Sequence, residues 1–174
     1  MHNLIITVIA LALMIAVTAT NLTYTTAYSV ERNATQQKLQ QGMASMVKAV
    51  ERYIEDNTDL QTGEIYLDQE LPGFVTGVNM LPLVLPAYGF MPAKQNAFTW
   101  SMETQRIYGM EAVAICVMIN QGSSQASKDS LHALADQMPE GSSFLNTGCG
   151  AMTNAALESE QTHLTRWVVL AHVL

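Results

Sequence analysis

The first thirty residues of this chain contain no Asp, Glu, Lys or Arg. Within them, Leu4 to Val17 is apolar at every position except Thr7, and Thr18 to Tyr28 is polar but uncharged. At Glu31 the sequence changes to a charged amphipathic pattern, with no Gly or Pro at the junction. Such a segment predicts a helix that lies in a membrane or is covered by other chains, because exposing that much apolar surface to water is unfavourable.

Three uses of the apolar segment agree with its composition. It resembles the core of a secretory signal, and Ala16 to Ala19 resembles a cleavage site, although the usual basic residues before the core are absent. Leu4 to Thr23 also suits a transmembrane anchor, which needs about 20 residues. In the third use, the anchor later packs against copies of itself. Met1 is then a mature N-terminus left after removal of a basic leader.

Residues 31–56 are predicted to continue the same helix. Gln, Lys, Glu and Arg occupy one face, and apolar residues recur on the other at spacings of three and four. The polar run from Asp56 to Asp59 is the first stop signal, so we expect one rod of about 55 residues and roughly 80 Å. The apolar stripe should pack on the rest of the chain through Leu39, Met43, Met46, Val50 and Tyr53.

Residues 57–174 are predicted to form a small α+β head. Pro and Gly make Leu71 to Pro92 loop-like, and Gly141 to Asn154 is a small, polar segment. We expect the regular elements to be a strand at Phe98–Glu103 with a turn at Thr104–Gln105, a buried strand or helix at Tyr108–Asn120, a helix at Ser123–Gln137 and a strand at Leu164–Leu174.

The negative charge of the chain lies in this head. The net charge is −7, residues 1–56 balance to zero, and residues 57–174 hold four basic and eleven acidic side chains. An acidic body without a basic patch argues against a nucleic-acid site, because phosphates are neutralised by clustered Lys and Arg.

Cys116 and Cys149 are the only cysteines. Together with a membrane-targeting N-terminus, this even pair favours an exported protein with one disulfide over two buried free thiols. Such a bridge would contribute about 2–4 kcal/mol to stability.

The sequence contains no motif for catalysis or for a bound metal or cofactor. HExxH and CxxC are absent, and no serine lies in a Gly-x-Ser-x-Gly motif. We therefore expect neither an enzyme nor a cofactor. The histidines are too scattered to predict a metal site: His2, His132, His163 and His172.

A long helix with an apolar half, followed by an α+β head with two cysteines, resembles the type IV pilins. Ala112–Asn120, which contains Cys116, and Gly148-Cys149-Gly150 are similar to the cysteine segments of type IVb pilins, including those of thin conjugative pili. The resemblance implies a pilin-like fold, with the helix packed on a small antiparallel sheet and Cys116 paired with Cys149. The filament core would contain Leu4, Ile5, Val8, Ile9, Leu11, Leu13 and Ile15.

The implied function is that of a structural subunit. It would insert in the inner membrane and then polymerise through its N-terminal helix into an extracellular pilus, with further copies and the pilus assembly machinery as partners. The parts would be an apolar half, 1–30, an amphipathic half, 31–56, and a disulfide-bonded head, 57–174. The sequence does not choose between conjugation, adhesion, motility and DNA uptake.

One position departs from the family pattern. Most pilins carry a Glu at the fifth mature position, thought to pair with a neighbour's N-terminal amine, and this chain has Ile5 there. A minor pilin, a pseudopilin of a secretion system and a single-pass exported membrane protein are therefore the alternative functions.

Overall fold

The structure is a computed structural model of the 174-residue chain. It describes residues 2–59, 65, 74–85, 87–89, 92, 97–157 and 161–170, and within the first 25 residues it describes the side chains of Leu13, Met14 and Val17 only. The elements are α1 (His2–Asn57), α2 (Leu81–Val84), β1 (Phe98–Ile107), β2 (Met110–Ile119), α3 (Gln125–Asp136), β3 (Ser143–Asn146) and β4 (His163–Val169).

The long helix α1 confirms the predicted single rod. It contains 56 residues without a break, which corresponds to a length of about 84 Å. At its end, the Asn57 amide donates to the Tyr53 carbonyl at 2.8 Å, and the Thr58 hydroxyl donates to the Ile54 carbonyl at 2.5 Å. Both side chains therefore bond back to carbonyls of the last helical turn.

The strands form one four-stranded antiparallel sheet in the order β1-β2-β4-β3. The last strand, β4, therefore lies in the interior of the sheet, between β2 and β3. The described fold is α+β with one long N-terminal helix, as expected. Residues 77–80 pair with the outer edge of β1, where Met80 N donates to Met102 O at 2.8 Å, which covers part of that edge.

The first hairpin corrects one prediction and decides an alternative that the sequence left open. β1 continues through Thr104 and Gln105, so the expected turn is not there. Instead the chain reverses at Tyr108 and Gly109, which have positive φ angles of 49° and 81° and suit a two-residue hairpin. The segment that could have been a strand or a helix is strand β2, whose buried central residues explain its nearly continuous apolar sequence.

Two further segments also differ from expectation. Gly141–Asn154 contains strand β3, which has only four residues and pairs only with β4. The loop-like stretch before β1 contains the single-turn helix α2, which tolerates Pro82 because a helix start needs no donor there. β4 ends at Val169, and residues 171–174 lie outside the described part of the chain.

Candidate assembly surface

The apolar half of α1 presents exposed apolar side chains where the structure describes them. Leu13, Met14 and Val17 are 61%, 73% and 56% exposed. Among residues described with their side chains, no helix is long and apolar enough to qualify as a membrane span. Met1 lies outside the described residues, as do the side chains of the remaining filament-core residues: Leu4, Ile5, Val8, Ile9, Leu11 and Ile15.

The amphipathic half of α1 packs on the head along one face. All five residues predicted for this contact are at most 6% exposed and belong to the main hydrophobic core. The sheet contributes Trp100, Met102 and Ile115 to the same core. Besides Gly42, the buried residues among the described side chains of α1 are Leu39, Met43, Met46, Ala49, Val50 and Tyr53.

Two glycines let α1 approach the head closely. A Cβ atom on Gly42 would lie 3.0 Å from Cζ2 of Trp100, so this helical glycine marks a close-packing point. A Cβ atom on Gly89 would lie only 2.8 Å from Cβ of Ala49. The cost of a glycine within a helix is offset at position 42 by packing that a larger residue would disturb.

A polar contact joins the start of the amphipathic half to α3. The Tyr28 hydroxyl donates to the Asp129 carboxylate, the Ser124 hydroxyl donates to Glu31 Oε1 at 2.6 Å, and the Ser130 hydroxyl donates to the Arg32 carbonyl at 2.9 Å. We call these three bonds the polar α1–α3 contact. They lie where α1 leaves the head, and therefore fix the direction in which the apolar half projects.

This contact perturbs one ionisable group. The hydrogen bond from the Tyr28 hydroxyl is the main reason that the pKa of Asp129 is lowered from its ordinary value of 3.8, with a smaller contribution from the Gln125 amide. Partial burial opposes the shift. The ionised carboxylate is therefore the form that the docked helix favours.

The outer face of the sheet is covered by the segment that follows β3. Cys116 on β2 forms a disulfide with Cys149, with their Cα atoms 5.6 Å apart. Met152 packs on a small second core that contains Trp167, and the Trp167 indole donates to the Ala151 carbonyl at 3.2 Å. The disulfide therefore holds this segment on the face opposite α1.

Grooves lie on both sides of α3, and each contains an arginine. The first encloses about 510 Å³ and is lined by Arg32 together with charged residues of α3. The second encloses about 370 Å³ and lies between α1, the end of α3 and Arg166 on β4. In both arginines Nε is buried without a hydrogen-bond partner.

Among the described residues, no group of three or more His, Cys, Asp or Glu is arranged to hold a metal ion. Burial lowers the pKa of His163, so its ring favours the neutral form. Ser124 is the N-cap of α3 and accepts a hydrogen bond from Ser127 N at 3.2 Å.

Sequence reasoning missed the polar α1–α3 contact and the Arg166 groove. Tyr28 and Asp129 are 101 positions apart, and each is an ordinary residue of a helix surface. Arg166 lies between two buried residues of a strand. A charged residue in such a position is unusual, so the sequence did contain a signal that pointed to Arg166.

Comparison of the chain with protein-family models, curated proteins and solved structures found no match. The pilin resemblance therefore rests on the residues and geometry of this chain.

Proposed function

We propose that this protein is the structural subunit of a helical filament of the type IV pilin kind, most similar to the type IVb branch. In this proposal α1 has two roles. Its amphipathic half carries the head, and its apolar half packs with the same half of other copies as the filament core. The subunit has no catalytic role.

The exposed apolar surface beyond the head is the observation that carries the proposal. Leu13, Met14 and Val17 are more than half exposed, and the described core residues of the same helix begin further along, at Leu39. At roughly 25 cal/mol per Å², an apolar half exposing about 1,000 Å² would cost on the order of 25 kcal/mol in water. Burial between copies, or in a membrane before assembly, removes that cost.

The cysteine pairing supports an extracytoplasmic location. Cys116 and Cys149 are bonded, and such bonds persist mainly in oxidising compartments. We propose that the subunit is held in the inner membrane before assembly and is part of a surface filament afterwards. The pilus assembly machinery would carry out the transfer.

A single type of contact repeated between copies is sufficient to build the filament. A head-to-tail contact whose rotation does not close on itself gives an open helix. The rod of α1 would supply such a contact, because exposed Leu13, Met14 and Val17 are distant along the helix from the half that carries the head.

The direct test is to shear filaments from cells that produce the protein and identify their subunit by mass spectrometry. We expect abundant thin filaments composed mainly of this chain, with an intact Cys116–Cys149 bond. Filaments in which this chain is a trace component would instead indicate a minor pilin or pseudopilin. A protein found only in the membrane fraction, without filaments, would contradict the proposal.

A further inference from the structure

Arg166 occupies an unusual place for a charged residue. It lies on the interior strand β4, where its register partners are Ile115 and Ser143. Ile115 is fully buried in the core that includes α1. Directly opposite residues of an antiparallel pair share a face of the sheet. The Arg166 side chain therefore lies on the face that packs on α1, which agrees with its position in the second groove.

One nitrogen of the Arg166 guanidinium lacks a partner inside the subunit, because its Nε is buried without a hydrogen bond. Glu51 also lines the groove, yet the described residues contain no ion pair between it and Arg166. A buried donor without an acceptor destabilises the subunit, and the positive charge of the guanidinium has no carboxylate paired with it among the described residues. A group from outside the subunit would supply one.

The residues that line the groove indicate which chemical group could bind there. Six of its eleven lining residues are apolar, among them Met43, Val47 and Leu134, and the other five are polar or charged; together they surround about 370 Å³. A cation beside apolar side chains suits a ligand that has both a carboxylate and apolar CH₂ groups. An acidic side chain has that chemistry, and a guanidinium binds carboxylates through paired hydrogen bonds.

We infer that the Arg166 groove, defined by the residues that line it together with Arg166, binds an acidic side chain at the end of α1 of a second copy. Glu51, Glu55 and Asp56 are exposed there, and the chain has 15 acidic against 8 basic residues. This inference rests on the proposed function, because parallel helices bring that end to the groove.

The spacing along the helix gives a definite offset. Val47 of α1 lines the groove, and Glu55 follows eight residues later in the same helix. If two parallel copies are shifted by about 12 Å along α1, Glu55 of the first copy therefore lies at the same height as the groove of the second copy. Lys48, on the rim of the groove, adds a second positive charge for the incoming carboxylate.

The test replaces Arg166 by Met, which has a similar volume and no charge. In the detergent-solubilised full-length subunit, Arg166→Met should melt at the same or a higher temperature, because a buried donor without an acceptor has been removed. Its filament yield should fall at least tenfold. Lys128→Gln, which removes an exposed charge outside this groove, should leave the yield unchanged.

A zero-length carbodiimide cross-link identifies the partner. In wild-type filaments we expect a dimer in which Lys48 of one copy is joined to Glu51, Glu55 or Asp56 of another, and the dimer should be absent from detergent-dispersed subunits. Normal filament yield from Arg166→Met, or filament dimers that never contain Lys48, would overturn the inference while leaving the proposed function intact.

Two other outcomes would also overturn it. If Arg166→Met and Glu51→Gln lower the melting temperature equally, the arginine has a partner within its own subunit. If millimolar decanoate raises the melting temperature of wild type but not of Arg166→Met, the groove is a site for a small carboxylate. Wild-type cells without filaments would instead refute the proposed function itself.

Discussion

At the scale of single residues, the contact between α1 and the head depends on two glycines, which have no side chain. Gly89 lies against Ala49 of α1, and Gly42 of α1 lies against Trp100. A flexible side chain can rotate away from a new neighbour, but two Cβ atoms are both fixed to backbone. Gly89 is therefore the more demanding of the two positions.

We predict that Gly89→Ala destabilises the detergent-solubilised subunit by about 1–3 kcal/mol, because the new Cβ would lie 2.8 Å from Cβ of Ala49. Denaturant unfolding measures the change. Gly148→Ala is the matched control, since a Cβ there meets no atom within 4 Å, and its effect should stay within about 0.5 kcal/mol. Equal effects of the two substitutions would refute the proposed close contact.

Asp129 links the polar α1–α3 contact to pH. Its pKa is lowered in the folded state, chiefly by the Tyr28 hydroxyl. The ionised Asp129 carboxylate therefore stabilises the fold at any pH above 3.8, the pKa of the group in the unfolded chain. This stabilisation is lost as the pH falls through the lower pKa of the folded state.

We predict that Asp129→Asn is less stable than wild type at neutral pH and that this difference shrinks as the pH falls below 3.8. Melting temperatures of both proteins across the acidic range measure it. Asp136→Asn, which removes an exposed carboxylate of the same helix, should change stability less at neutral pH. A neutral-pH stability of Asp129→Asn equal to that of wild type would contradict the contact.

At the scale of elements, the disulfide holds the segment after β3 on the outer face of the sheet. The bridge spans 33 positions. By loop-closure entropy, a bridge of this span contributes roughly 3–4 kcal/mol. Gly150 N also donates to the Thr165 hydroxyl at 3.0 Å, so part of the segment's position survives without the bridge.

We predict that the double variant Cys116→Ser, Cys149→Ser loses about 2–4 kcal/mol of unfolding free energy. Wild type unfolded in the presence of a reductant should match the variant, and the reductant should leave the variant unchanged. Non-reducing mass mapping supplies the complementary check. Two free thiols in the native protein would contradict both the bridge and the oxidising compartment proposed for it.

The elements also show which parts of the fold the sequence predicts. The rod and its buried stripe follow from a periodicity sustained over many turns, which tertiary contacts only reinforce. The Tyr108–Gly109 turn was missed because Tyr is an uncommon residue at positive φ. β3 was missed because it has only four residues, too few for a pattern, and it becomes a strand through its pairing with β4.

At the scale of the whole molecule, one helix combines two surfaces with opposite requirements. Leu39 and Met46 are fully buried against the head, whereas Leu13 is 61% exposed. Loss of a buried residue therefore weakens the subunit, while a change in the projecting half should affect only its association with other copies or with a membrane.

We predict that Leu13→Asp leaves the melting temperature of the detergent-solubilised subunit unchanged but abolishes filaments, because a carboxylate in the apolar helix bundle is strongly unfavourable. Leu157→Asp is the matched control, because Leu157 is 59% exposed and lies on the head. It should leave filaments at wild-type abundance, as counted by electron microscopy. Filaments from Leu13→Asp at normal abundance would exclude this half of α1 from the core.

Helical reconstruction of purified filaments by electron cryo-microscopy tests the central claim most directly. We expect a central bundle of parallel α1 helices, in which Leu13, Met14 and Val17 contact neighbouring copies and the disulfide-bonded heads lie outside. A filament whose core is formed by the heads, with the apolar half of α1 facing solvent, would contradict it.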